Sequence, residues 1–168
     1  LSCPDFSINQ MEVSAMLMQW MLAAVHLLAF AGAFAAVLAR AAALGRLVRG
    51  ESSYRSVLLV DNAWGLTALV LLVTGLLRAF GGYGKGTDYY LQQPLFHLKM
   101  ALFIGILLLE VFPMLTLVRW RIALARGTQP DIARASSFVR TSQLQALLLV
   151  LLVVAASGMA RGVGLAQL

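Results

Sequence analysis

Four long apolar runs separated by short polar stretches set the pattern of this chain. Val13 to Leu38 and Thr141 to Ala160 contain no formal charge, Val57 to Leu77 contains only Asp61, and Leu95 to Val118 contains Lys99 and Glu110. A helix of about 20 apolar residues crosses the hydrocarbon core of a bilayer, and each run is long enough. The pattern predicts an all-α integral membrane four-helix bundle with spans at about 13–38, 57–77, 95–118 and 141–160. Residues 13–168 then form one domain, and residues 1–12, which open on Leu1 rather than methionine, read as an N-terminal extension. The first run lacks a basic flank and a small-residue cleavage site before a polar domain, so it reads as a retained span.

Composition strengthens this. Of 168 residues, 61% are hydrophobic and 12% charged, with a mean hydropathy of +0.85, so no water-soluble surface can be assembled and the lipid bilayer is the first partner. No stretch remains for a soluble catalytic domain. The net charge of +6 does not indicate nucleic acid, because the arginines lie between the apolar runs. Arg40, Arg46, Arg49 and Arg55 separate the first two, and Arg119, Arg121, Arg126, Arg134 and Arg140 the last two. By the positive-inside rule those connections face the cytoplasm, which puts both termini on the non-cytoplasmic side. The outer side carries Arg78, Lys85 and Arg161 against Asp88 and Glu12. Trp20, Tyr89, Tyr90 and Trp120 fit interfacial anchors. Pro94 fits a helix start and Pro113 a kink, while the stretch from Arg119 to Arg140 has room for a short basic amphipathic helix.

Ionisable groups within a span are costly unless paired or bound to something, so His26, Asp61, His97, Lys99 and Glu110 are the candidates for function. His26 and His97 fall at similar depth in the outer half, where they suit a shared cofactor or metal site. His26 shares a helix face with Gln19, Ala23, Ala29, Ala33 and Ala36, and His97 with Ala101 and Gly105. Such small stripes serve close helix packing or make room for a flat cofactor such as haem. Lys99 either snorkels outward to the interface or forms, with Arg78 and Lys85, an outer basic cluster suited to an anion such as a carboxylate. Lys99 and His97 point to nearly opposite sides of their helix, so only one faces a given pocket. Asp61 and Glu110 read as structural polar groups, Asp61 pairing with Arg55, Arg119 or Arg121 and Glu110 reaching the inner interface near Arg119 or Arg121. Met16, Met18 and Met21 near His26, and Met100 beside Lys99, keep copper(I) ligation open. Cys3 is the only cysteine, which excludes an internal disulfide.

Trp20 and His26, Asp61 with Gly65, Gly75 and Arg78, Lys85-Gly86, Tyr90, the run Phe96-His97-Leu98-Lys99-Met100, then Trp120 and Arg121 carry a family resemblance. The chain resembles an uncharacterised group of bacterial four-helix predicted membrane proteins, distantly similar to the copper-resistance-D and HemJ-like membrane proteins. The resemblance implies a multi-pass protein of the bacterial inner membrane. HemJ-like proteins oxidise protoporphyrinogen and are associated with a haem held by a first-helix histidine and a third-helix lysine. The matching positions are His26 and Lys99, which makes Lys99 the candidate catalytic residue, haem b the candidate cofactor, and His97, Arg78, Lys85 and Tyr90 further candidate contacts.

The sequence supports three readings. The leading one is a haem- or porphyrin-binding redox module. The second is a copper or other metal-handling protein using His26 and His97. The third is a non-catalytic subunit or scaffold, self-associating or serving another membrane protein, whose buried polar groups only fix packing.

Overall fold

A computed structural model describes residues 5–82 and 91–163 of the chain. Their regular structure is helical throughout, in four elements: α1 (Asp5–Val48), α2 (Tyr54–Phe80), α3 (Pro94–Ala125) and α4 (Ala135–Ala160). All four are long and apolar enough to cross a membrane. Each overruns its apolar run, because helix formation does not stop where hydropathy falls. In α1 the sequence Ala41-Ala42-Ala43-Leu44, rich in strong helix formers, carries the helix well past Arg40. It ends only before Gly50, whose positive φ of 74° reverses the chain. Pro94 opens α3 as expected, its missing N–H costing nothing in the first turn. The connection from 126 to 134 contains no helix, since α3 and α4 between them absorb most of the stretch expected to form an amphipathic one.

The helices alternate in direction. His26 of α1 meets Thr74 near the end of α2, while Arg40, near the end of α1, meets Asp61 near the start of α2. Gln93, just before α3, donates to the Val163 carbonyl just beyond α4. The arginine-rich connections all lie at one end of the bundle, the end that the positive-inside rule predicts to be the inner one. Around the bundle α2 packs on α1, α1 on α4 and α4 on α3, while α2 and α3 barely approach each other.

Two apolar clusters hold the inner and middle levels. The inner one includes Leu44, Val57, Leu117 and Phe138, and the middle one Ala33, Val37, Trp64, Ile106 and Leu149. Ala29, Ala33 and Ala36 are buried, so this part of the small stripe serves close packing. A Cβ on the neighbouring Gly32 would lie 3.0 Å from Thr67 Cγ2, which shows how near α1 and α2 run. Trp120 is a core residue rather than an interfacial anchor. It is buried, stacks edge-on against Tyr54 at 5.5 Å and donates from Nε1 to the Asp131 carbonyl at 3.0 Å. Trp20 is exposed.

Candidate functional site

At the level where the middle and inner clusters meet, the bundle encloses an ionic network built on Arg40. The guanidinium has five N–H donors, and every one finds an acceptor. Nε donates to Ser142 Oγ at 3.2 Å; Nη1 donates to Asp61 Oδ1 at 3.1 Å and Glu110 Oε1 at 2.6 Å; Nη2 donates to Glu110 Oε2 at 2.8 Å and Gln145 Oε1 at 2.7 Å. Each helix contributes: Arg40 from α1, Asp61 from α2, Glu110 from α3, Ser142 and Gln145 from α4. Gln145 Nε2 donates back to Glu110 Oε2 at 2.8 Å, and Arg121 Nη2 donates to Asp61 Oδ2 at 2.9 Å. Two arginines and two carboxylates thus cancel in charge at a depth where an unpaired one is costly. The Arg40 guanidinium also lies over the Trp64 ring, 5.4 Å from its centroid.

This corrects three expectations. Arg40 is not a loop residue of the cytoplasmic face but a fully buried member of α1. Glu110 does not reach the inner interface near Arg119 or Arg121; Arg40 takes both of its oxygens. Asp61 does pair with Arg121, yet it bridges that residue to Arg40 rather than serving as a lone counter-ion. The signal for Arg40 was available in its helical register: Ala29, Ala33 and Ala36 before it and Leu44 and Leu47 after it put it on the buried face.

Outward of this network the helices enclose a cavity of about 890 Å³, within the usual range of small-molecule sites. Trp64, Ile106 and Glu110 lie at its deep end, and Trp20, Arg78 and Phe96 at its outer end. Most of its surface is apolar. Gly75, Ala68, Ala156 and Ser157 leave the space, so the room comes from α2 and α4 rather than from the histidine-bearing faces of α1 and α3. The fourth helix is a wall here, but Ser142 and Gln145 make it part of the polar network further in.

His26 lies on the cavity wall with a defined tautomer. Thr74 Oγ1 has one proton and donates it to the Val70 carbonyl at 2.6 Å, so at 2.7 Å it accepts from His26 Nδ1. The neutral ring then carries its lone pair on Nε2, the usual arrangement of a ligating histidine whose other nitrogen is fixed by a protein acceptor. A Cβ on Gly75 would sit 3.4 Å from His26 Cε1, in van der Waals contact, so the ring lies close against α2.

Lys99 and Arg78 also line the cavity, and neither has a carboxylate within ion-pair distance among the described residues. His97 is elsewhere. It is exposed, does not line the cavity, and donates from Nε2 to the Leu91 carbonyl at 2.9 Å. Of the two residues expected on opposite sides of α3, Lys99 is the one that faces the pocket. The structure does not bring His26 and His97 together, and among the described residues no group of three or more His, Cys, Asp or Glu is placed to hold a metal ion. Met16 and Met100 line the cavity with His26, whereas Met18 and Met21 do not. Lys85 and Tyr90 lie outside the described residues.

The fold and site define a class: a multi-pass membrane protein with four helices, an outer apolar cavity and a charge-neutral polar core. Residues 18–164 match the family model described as predicted membrane protein (DUF2214), and the chain belongs to that family. No curated protein and no solved structure matches it.

Proposed function

We propose that the protein is a haem- or porphyrin-binding redox module of the bacterial inner membrane, with both termini on the non-cytoplasmic side. The single observation that carries this reading is the His26–Thr74 hydrogen bond, which leaves Nε2 of a cavity-wall histidine free to donate to iron. The remaining features fit the same group. The cavity is apolar and of suitable volume, and its cations Arg78 and Lys99, without a carboxylate partner among the described residues, suit the acid groups of a porphyrin. When bound, haem would supply one-electron chemistry. The chain's own residues orient it, exclude water and neutralise its acid groups. The copper reading draws less from the geometry, because His97 lies outside the cavity. The orientation rests on the arginines clustered at the connections of the inner end.

Protein purified in mild detergent after expression with ample haem is expected to show a Soret band that His26→Ala weakens at least tenfold. Colourless wild-type protein overturns the proposal. It would favour the scaffold reading, in which His26→Leu and Lys99→Met leave the cellular phenotype intact.

A further inference from the structure

The cavity is not sealed on all sides. Two of the helices that bound it, α2 and α3, barely touch, although the other three neighbouring pairs are closely packed. At the inner end side chains alone tie them together, through Asp61 with Arg121 and Tyr54 with Trp120. Further out no hydrogen bond or ion pair joins α2 to α3 among the described residues. Leu76 and Phe80 of α2 and Leu107 of α3 line the cavity, yet they are 50%, 51% and 44% exposed. Lining residues elsewhere are exposed too, Trp20 and Leu27 of α1 at 70% and 68%, so it is the missing packing between α2 and α3 that makes this side a seam. In a bilayer that side faces acyl chains, so the seam connects the cavity with hydrocarbon rather than with water.

The uncompensated charge of the lining lies at one end among the described residues, since Glu110 at the deep end is neutralised by Arg40. Arg78, in the last turn of α2, and Lys99, in the second turn of α3, place positive charge toward the outer interface. Leu71, Phe103 and Ile106 continue inward as an apolar wall. A molecule lying in a leaflet with its acid groups at the interface and its apolar body directed inward has the same gradient. Both cations lack a protein counter-charge among the described residues, and an incoming carboxylate supplies one.

We propose that the cavity takes its ligand sideways from the outer leaflet, through the seam between α2 and α3, and that this ligand is a bilayer-dissolved amphipathic carboxylate whose acid groups settle on Arg78 and Lys99. That the carboxylate is a porphyrin rests on the proposed redox function; the lateral route does not. Lateral access also suits the chemistry. A tetrapyrrole with acidic side chains partitions to the membrane interface, and a site open to the leaflet receives it without exposing its apolar face to water.

Two probes test the route in proteoliposomes. The first is a fatty acid brominated near its chain end, a quencher that reaches Trp64 only if the chain enters the cavity, since Trp64 is 4% exposed. The Trp64 signal is read as the difference between wild type and Trp64→Phe. The second is haemin, read by its Soret band. Both are applied to a Cys3→Ser protein carrying Leu76→Cys and Leu107→Cys, residues each about four turns outward of the Asp61–Arg121 bond, before and after bridging with a cleavable bis-maleimide. Quenching of Trp64 and haemin loading should each slow at least tenfold on bridging and recover on cleavage. Loading or quenching that is unchanged by the bridge overturns the lateral route, as does a Trp64 signal that brominated acid never quenches in unmodified protein. Quenching that the bridge blocks, with no Soret band in any sample, upholds the route and removes the porphyrin.

Discussion

Replacing Arg40 by methionine tests the polar core directly. The substitution keeps most of the volume of the side chain and removes all five donors, so Asp61 and Glu110 remain inside the bundle with their negative charges. Arg121 still reaches one oxygen of Asp61, and Gln145 one of Glu110, but Glu110 loses its cationic partner. Breaking a buried ion pair by removing one member costs about 3–5 kcal/mol. For a chain of this length each kcal/mol lowers the melting temperature by about 2–4 °C, so the apparent midpoint should fall by about 6–20 °C. Circular dichroism at 222 nm during heating in detergent reads the shift. Arg40→Lys should recover little of it, because a lysine has three donors on one atom where five in a planar fork are needed. Arg40→Met combined with Glu110→Gln should recover much of it, because Arg121 still pairs with Asp61 and the amide leaves no unpaired carboxylate. A loss below about 2 °C for Arg40→Met, or a double variant less stable than the single one, refutes the view that charge neutralisation holds this level together.

Three further outcomes are expected. Thr74→Val removes the acceptor that fixes the His26 tautomer while keeping the shape, and should weaken haemin binding about 10- to 100-fold with little change in melting temperature; spectral titration measures it. Lys99→Arg should retain haemin affinity within a few-fold and Lys99→Met should lose about tenfold, if Lys99 acts as the cation for a carboxylate rather than as a ligand to iron. Single cysteines at Ser52 and Thr128, in a Cys3→Ser background, should be protected from a membrane-impermeant maleimide in intact cells, whereas one at Gly162 should be labelled; the reverse pattern would invert the proposed orientation.

The four helices were legible in the sequence because lipid imposes a simple rule, a long apolar run for each crossing, and these runs obey it. Lys99 and His97 were separable by helical periodicity alone. The core was less visible, since counting Arg40 as a topological charge hid it among Arg46, Arg49 and Arg55, although unlike them it sits in register with the buried stripe of α1. Gln145 and Ser142, three apart on one helical face, are uncharged and do not stand out in a span of leucines and valines. Their importance comes from what they bond, which only the tertiary arrangement supplies. The shared histidine site failed for a different reason: similar depth on two helices does not make two side chains face each other, and His97 turns to the Leu91 carbonyl instead.

The arrangement around Arg40 bears on how the chain is assembled. Its acceptors lie on three other helices, and the last two in sequence, Ser142 and Gln145, belong to the final helix. A chain ending after α3 would leave Nε and one N–H of Nη2 without an acceptor, and Glu110 without its amide donor. The first three spans therefore do not make a finished bundle awaiting an outer wall. Arg40 enters the chain early but completes its bonding only when α4 arrives, which ties the fate of the first helix in the membrane to the insertion of the last.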